Sequence, residues 1–156
     1  MAIEKVREYF SQHGLEDRIL EFDVSSETVE LAAQAIACEP KQIAKSMSFI
    51  LDDNAIIVVT SGDARISNPK FKEHFKAKAK MISPDQVELL IGHDIGGVCP
   101  FGINEDVLVY LDVSLKRFET VFPAAGSGNS VIELSVAELE EHSQAEAWVD
   151  VCKDWE

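Results

Sequence analysis

The first residue in this sequence that could do chemistry is a lysine set in an apolar strand. In KSMSFIL, Lys45 to Leu51, strand alternation puts Lys45 in register with Met47, Phe49 and Leu51. There it either snorkels to water along its methylene stem or projects a cation into a pocket, where it can hold an anionic or carbonyl group. A second feature is GGVCPFG, Gly96 to Gly102. Its glycines permit positive φ and close approach and its proline fixes a bend, so backbone N–H groups can be aimed at a carbonyl or an oxyanion. A tight crossover loop would carry the same pattern. Inside it Cys99 is either a small apolar filler or a nucleophile, with His93 the histidine within reach. AAGSGN, Ala124 to Asn129, supplies a second flexible rim that bears a hydroxyl.

The absences narrow the reaction class. His13, His74, His93 and His142 show no HxxxH or HxH spacing, and Cys38, Cys99 and Cys152 lack a CxxC pair, so no metal, no cofactor and no disulfide scaffold are expected. There is no GxSxG elbow, and neither glycine loop matches GxGxxG or GxxxxGK[ST].

The elements that must position these residues follow from periodicity. Ile3, Val6 and Phe10 predict a first helix with Gly14 after it, and Ile19 to Asp23 a short strand. Ser26 caps a second helix whose apolar face is Val29, Ala32, Ala33, Ile36 and Ala37. Pro40 starts a short helical turn, and KSMSFIL and AIIVVT form a hairpin through the Asp52-Asp53-Asn54 turn. Ser61-Gly62-Asp63 breaks the second strand, and Asn68-Pro69 reads as cap then proline for a helix carrying Phe71 and Phe75. A strand is expected around Lys78 to Ile82, and a capping box at Ser83 to Gln86 opens a helix ending near Gly92. VLVYLD, Glu119 to Phe122 and Ser130 to Leu134 are further strands. A capping box at Ser135 to Glu138 opens an acidic helix that completes the domain. Interspersed helices and adjacent hairpins call for a mixed or largely antiparallel sheet rather than a doubly wound one.

At 156 residues, 46% hydrophobic and 27% charged, the chain suits one α+β domain with its own core, and disordered or collagen-like classes are excluded. No apolar run approaches the ~20 residues of a membrane helix, and the opening residues lack a signal-peptide core, so a soluble cytosolic protein is expected, with no membrane partner. Fourteen basic against twenty-eight acidic residues leave −14, which argues against broad wrapping of a polyanion such as DNA. The charge reverses locally: Arg65, Lys70, Lys72, Lys76, Lys78 and Lys80 stand against Glu73 alone. That segment is either a solvated face or a contact for a short piece of nucleic acid.

AAQAIACEPKQIAKSMSFIL, VVTSGDARIS, GGVCPFG and AAGSGNSVIEL, in that order, resemble the YbaK/ProX group of aminoacyl-tRNA deacylases, relatives of the editing domain in bacterial prolyl-tRNA synthetase. The resemblance runs from about Ser25 to about Leu139. It implies a compact α+β fold around a mixed, barrel-like sheet flanked by helices, in one domain over residues 1–156. It also implies hydrolysis of the ester of a mischarged tRNA, with tRNA-Pro bearing a small non-cognate amino acid as the expected substrate. Lys45 would be the catalytic cation. Substrate contacts would come from Thr28, Gly62, Asp63, Gly96, Gly97, Val98, Cys99, Pro100, Gly102, Gly126, Ser127 and Gly128. Lys70, Lys72, Lys76, Lys78 and Lys80 would meet the tRNA acceptor end, and an aminoacyl-tRNA synthetase is a candidate partner. Many relatives carry Ser where this chain has Cys99. A binding module that has lost turnover and a Cys99-dependent hydrolase of a small metabolite are the alternative readings.

Overall fold

The structure is a computed structural model that describes residues 2–21, 33–34, 38–93, 98–127 and 129–155. The expected second helix, apart from Ala33, and the last two residues of the first strand lie outside these residues, as do Thr28, Gly96, Gly97 and Gly128.

The centre is the hairpin of β2 (Ile43–Leu51) and β3 (Asn54–Ser61), paired antiparallel from Ala44 opposite Ser61 to Leu51 opposite Asn54. Asp52 and Asp53 both take left-handed φ, 51° and 68°, the twist that a two-residue turn needs to match its strands. Neighbours join on both sides. β5 (Leu108–Asp112) runs parallel to β3, and β9 (Ala147–Val149) parallel to β5. On the other flank β6 (Thr120–Pro123) runs parallel to β2, and β8 (Leu134–Ser135) antiparallel to β6. The result is a mixed six-stranded sheet, order β8-β6-β2-β3-β5-β9. Two short pairs flank it: β1 (Ile19–Glu21) with β7 (Ser130–Ile132), and β4 (Arg65–Ile66) with β10 (Cys152–Lys153). This is the mixed α+β architecture expected from the pattern.

Each face of the hairpin buries its own set of side chains. The even-numbered side of β2 packs Ala44 into a core with Ile57, Val59, Leu111, Val121 and Leu134, closed by Val6 and Phe10 of α1 (Ala2–Ser11) and by Val87 and Ile91 of α3 (Pro84–Ile91). The odd-numbered side packs Phe49 with Ile56, Val58 and Phe71 of α2 (Asn68–Phe75), the Phe49 and Phe71 rings lying 5.0 Å apart. Among the described residues no helix is long and apolar enough to cross a membrane.

Four local expectations are corrected. The cap of α2 is Ser67, whose hydroxyl accepts from the Lys70 N–H at 3.4 Å; Asn68 is already helical, because Ser67 is the last residue with extended φ/ψ. At Ser83 no capping box forms, since the Gln86 N–H goes to the Ser83 carbonyl instead of its hydroxyl. Around Lys78 to Ile82 there is one bridge, Met81 to Phe49, flanked by Ile50 N–H to Lys80 O and Ile82 N–H to Ser48 O. Finally, the acidic helix α4 (Val136–Ser143) does not complete the domain, because β9 and β10 follow it. A 3-10 turn, Val113–Arg117, was also invisible to periodicity.

The box at Ser135 does form: Glu138 N–H donates to the Ser135 hydroxyl at 3.0 Å and Ser135 N–H to the Glu138 carboxylate at 2.9 Å. That backbone N–H holds the Glu138 carboxyl below the usual carboxylate range, with the Arg18 guanidinium at 2.6 Å adding to it. A depressed carboxyl stabilises the fold above its unfolded pKa and loses that contribution as pH falls through its folded value. Ser135→Ala, which removes the hydroxyl that accepts the Glu138 N–H, should lower the unfolding free energy by about 1 kcal/mol in urea titration at neutral pH. Glu138→Gln should also destabilise at neutral pH, and its difference from wild type should shrink on acidification; a difference that grows would contradict the cap.

Candidate active site

Lys45 stands on the odd-numbered face of β2, between two apolar clusters. On one side Ile43 packs with Ala33, Cys38 and Phe122; on the other Phe49 packs with Phe71, Ile56 and Val58. Lys45 and Met47 between them are only half-buried. Met47 packs against the second cluster, and among the described residues Lys45 belongs to neither. Across the hairpin Lys45 faces Thr60, which is fully buried.

The β2–β6 register links this lysine to the second glycine loop. Ile43 lies beside Phe122 and Ala44 beside Pro123, so the turn that starts at Ala124 begins at the level of Lys45. Gly126 there has φ 97°, a conformation that strains any L side chain. Ser127 Oγ lies 2.6 Å from Ser130 Oγ and donates to Asn129 Oδ1 at 2.9 Å. The Gly126 backbone also hydrogen-bonds the Cys99 sulfur, so the loop around Cys99 and the turn around Gly126 meet.

Cys99 itself belongs to the core on the even-numbered side, with Ala44, and is 0% exposed. Its thiol donates to the Phe101 carbonyl and lies near His93 Nε2, each at 3.5 Å. His93 Nε2 is also 2.5 Å from the Phe101 carbonyl, which only a ring N–H can approach, so this nitrogen donates and is not a base for the thiol. Burial pushes the thiol up to about 12. A fully buried cysteine held protonated is a core residue rather than a nucleophile. Val98 and Gly102 are half-buried beside it, and Pro100 is buried.

Asp63 is tied into the scaffold. Arg117 grips both its oxygens, at 2.6 and 3.1 Å, and donates to Ser61 Oγ at 2.7 Å and to the Ser114 carbonyl at 2.9 Å. Burial pushes the Asp63 carboxyl up, but the bonds from Arg117 and Ser61 outweigh it and leave it below the usual range. Gly62 is the half-buried bend of this turn. Sequence reasoning missed Arg117. A partner 54 positions from Asp63 leaves no periodic signal, and the one clue was a basic pair after a strand.

The basic segment divides. Lys72 and Lys76 line a shallow groove with Pro69 and Glu73, and Lys72 and Lys78 another with Asn68, Pro69 and Ala79. Lys70 is committed to Asp150 at 3.1 Å and to the Cys152 carbonyl at 3.0 Å. Lys80 is exposed and lines neither groove. Among the described residues no group of three or more His, Cys, Asp or Glu side chains could hold a metal ion.

Comparison with known proteins agrees with this geometry. The chain is 53% identical over its full length, and over the full length of the relative, to the uncharacterized protein YwhH of Bacillus subtilis. It is 25% identical over 125 residues to a proline–tRNA ligase of Lactiplantibacillus plantarum, matching 80% of this chain but 22% of the ligase. A crystal structure of a candidate trans-editing enzyme for prolyl tRNA synthetase superposes with a TM-score of 0.87 at 27% identity, covering 97% of both chains. Residues 24–142 match the aminoacyl-tRNA editing domain, which is well over half of the chain, and the protein belongs to that family.

Proposed function

We propose that this protein is a trans-editing aminoacyl-tRNA deacylase that hydrolyses the ester of a mischarged tRNA, with tRNA-Pro bearing a small non-cognate amino acid as its substrate. The observation that carries the reading is Lys45, a cation standing half-buried on its strand between two apolar clusters. Family membership and the full-length likeness to a candidate trans-editing enzyme support it.

In this reading the Lys45 ammonium anchors the phosphate or ribose of the terminal adenosine. The backbone N–H groups of the Gly96 to Gly102 loop receive the ester carbonyl, with the Gly126 turn as the opposite rim. Water adds to the carbonyl carbon, the bond to the ribose oxygen breaks, and the water proton ends on that ribose oxygen. The neighbouring ribose hydroxyl assists this proton transfer, which accounts for a site read without a protein base. An aminoacyl ester is labile, so positioning and electrostatic stabilisation suffice. A cysteine mechanism is disfavoured by the burial and protonation of Cys99.

Lys45→Ala should lower deacylation of mischarged tRNA by ~100-fold or more while the circular dichroism spectrum stays native, on the scale of losing the positioning of a substrate at its reacting centre. Full activity in that variant would overturn the assignment. Wild-type protein that binds mischarged tRNA yet never releases its amino acid would establish the binding-module reading instead.

Cys99→Ser should keep hydrolysis, and native Cys99 should resist iodoacetamide at neutral pH, as its raised thiol pKa requires. Inactivation of Cys99→Ser together with a trapped thioester would restore the cysteine mechanism.

Neutralising Lys72, Lys76 and Lys78 should weaken tRNA binding and reduce its log–log salt slope by about one unit per lost contact, while hydrolysis of an aminoacyl-adenosine is unchanged. Lys70→Gln and Lys80→Gln should change the slope little. Equal salt slopes for all five variants and the wild type would make the segment a solvated face.

A further inference from the structure

The reading above uses Lys45 and leaves unexplained a buried acid on the same side of the sheet. Asp112, the last residue of β5, is 0% exposed. Its two oxygens accept the Val151 and Ser114 N–H groups, each at 2.9 Å. Two neutral donors orient a carboxylate, but a charge withdrawn fully from water is stable in a fold only with a counter-charge nearby.

The sheet register shows where that charge lies. Val58 pairs with Tyr110 and Val59 with Leu111, so the next position sets Asp112 beside Thr60, and Thr60 is the residue opposite Lys45. Alternation keeps Lys45, Thr60 and Asp112 on one face, in a row across three adjacent strands. The Thr60 hydroxyl turns to the Ser61 carbonyl at 3.2 Å and so does not fill the space between them as a donor to Asp112. From β10, the Cys152 thiol hydrogen-bonds Asp112 and feels the Lys45 charge as well. Among the described residues nearby, Asp150 and Lys70 hold each other, and Arg117 grips Asp63. Tyr110, two residues earlier on the same face, is held neutral, its phenol pushed up by burial and by Glu146.

We infer that Asp112 is a positioning residue for the proposed deacylation: its buried carboxylate, fixed by two backbone amides, is the counter-charge that orients the Lys45 ammonium on the face of the sheet they share. The inference rests on the reading of Lys45 as the working cation, but the charge pairing it proposes does not depend on the protein being a deacylase. It also gives Cys152 a place, as the thiol that bridges acid and cation from the neighbouring strand.

The test reads the lysine directly. Wild type and Asp112→Asn are acetylated with acetic anhydride across a pH series, and the rate at each lysine is followed by mass spectrometry. With its counter-charge removed, the half-reaction pH of Lys45 should fall by about one unit or more, while that of Lys72 stays put. The alkaline limb of the deacylation profile should fall with it. If Asp112→Asn does not fold, Asp112→Ser, which keeps an acceptor for the Ser114 N–H, is read in the same way. An unchanged Lys45 half-reaction pH in the folded variant overturns the inference. A shifted Lys45 in proteins that show no deacylation at any pH would keep the charge pair and sink the deacylase reading.

Discussion

Everything at this site depends on the register of one hairpin. Strand side chains alternate with a period of two, so a slip of one residue between β2 and β3 would carry Lys45 into the core and bring Ser46 to its place. The turn at Asp52 and Asp53 prevents the slip. Both residues take left-handed φ, and the Asn54 side-chain amide donates to the Asp52 carbonyl at 3.1 Å. Left-handed φ is costly for residues with a Cβ, though least so for Asp and Asn, and eight cross-strand pairs set behind the turn compensate for it. The register then fixes the rest: β6 and its glycine turn at the level of Lys45, and β5 with Asp112 two strands away.

The surroundings of Lys45 are as much a product of packing as the core is. Phe49, Phe71 and Phe75 form one run of rings under α2, and Ile43 with Phe122 another contact at the strand's start. Met47 packs against the first run, and among the described residues Lys45 belongs to neither cluster and stays half-buried between them. A lysine there keeps its methylenes on apolar neighbours and its ammonium toward solvent or ligand. The snorkelling and functional readings of Lys45 are therefore the same geometry, and they differ in what the ammonium meets.

What could be read in advance was what is local. The hairpin, the Ser135 box and the glycine after α3 are each specified within a few residues, by alternation, by a cap and its partner three positions on, and by a left-handed Gly92. What failed was either a choice between near-equivalent caps, as at Ser67 and Asn68, or a pairing whose partner is distant in sequence. β9 is three residues long and its identity comes from Tyr110 to Asp112, which it joins in parallel. The site shows the same division. Lys45 announced itself by being wrong for its strand, and Cys99 was legible only as two alternatives that burial then separated. The grip of Arg117 on Asp63 and the row from Lys45 to Asp112 arise from residues more than 50 positions apart and have no local signature.

The charge of −14 and a polyanionic ligand are reconciled by where the lysines sit rather than by how many there are. α2 packs on the odd-numbered face of β2 through Phe71 and Phe49, and that is the face on which Lys45 stands. Its exposed side carries Lys72 and Lys76, with Lys78 just beyond its left-handed C-terminal residue, Lys76. Acidic surface elsewhere repels a phosphate chain at long range, and that repulsion is screened beyond ~8 Å at physiological salt, whereas contacts in a shallow groove act within that distance. On the proposed reading, an acidic body with a local cluster of lysines gives a nucleic acid one favourable approach, along α2 toward the face of β2 that bears Lys45. Net negative charge would then act as a filter on orientation, and a weak overall affinity is compatible with a defined direction of entry.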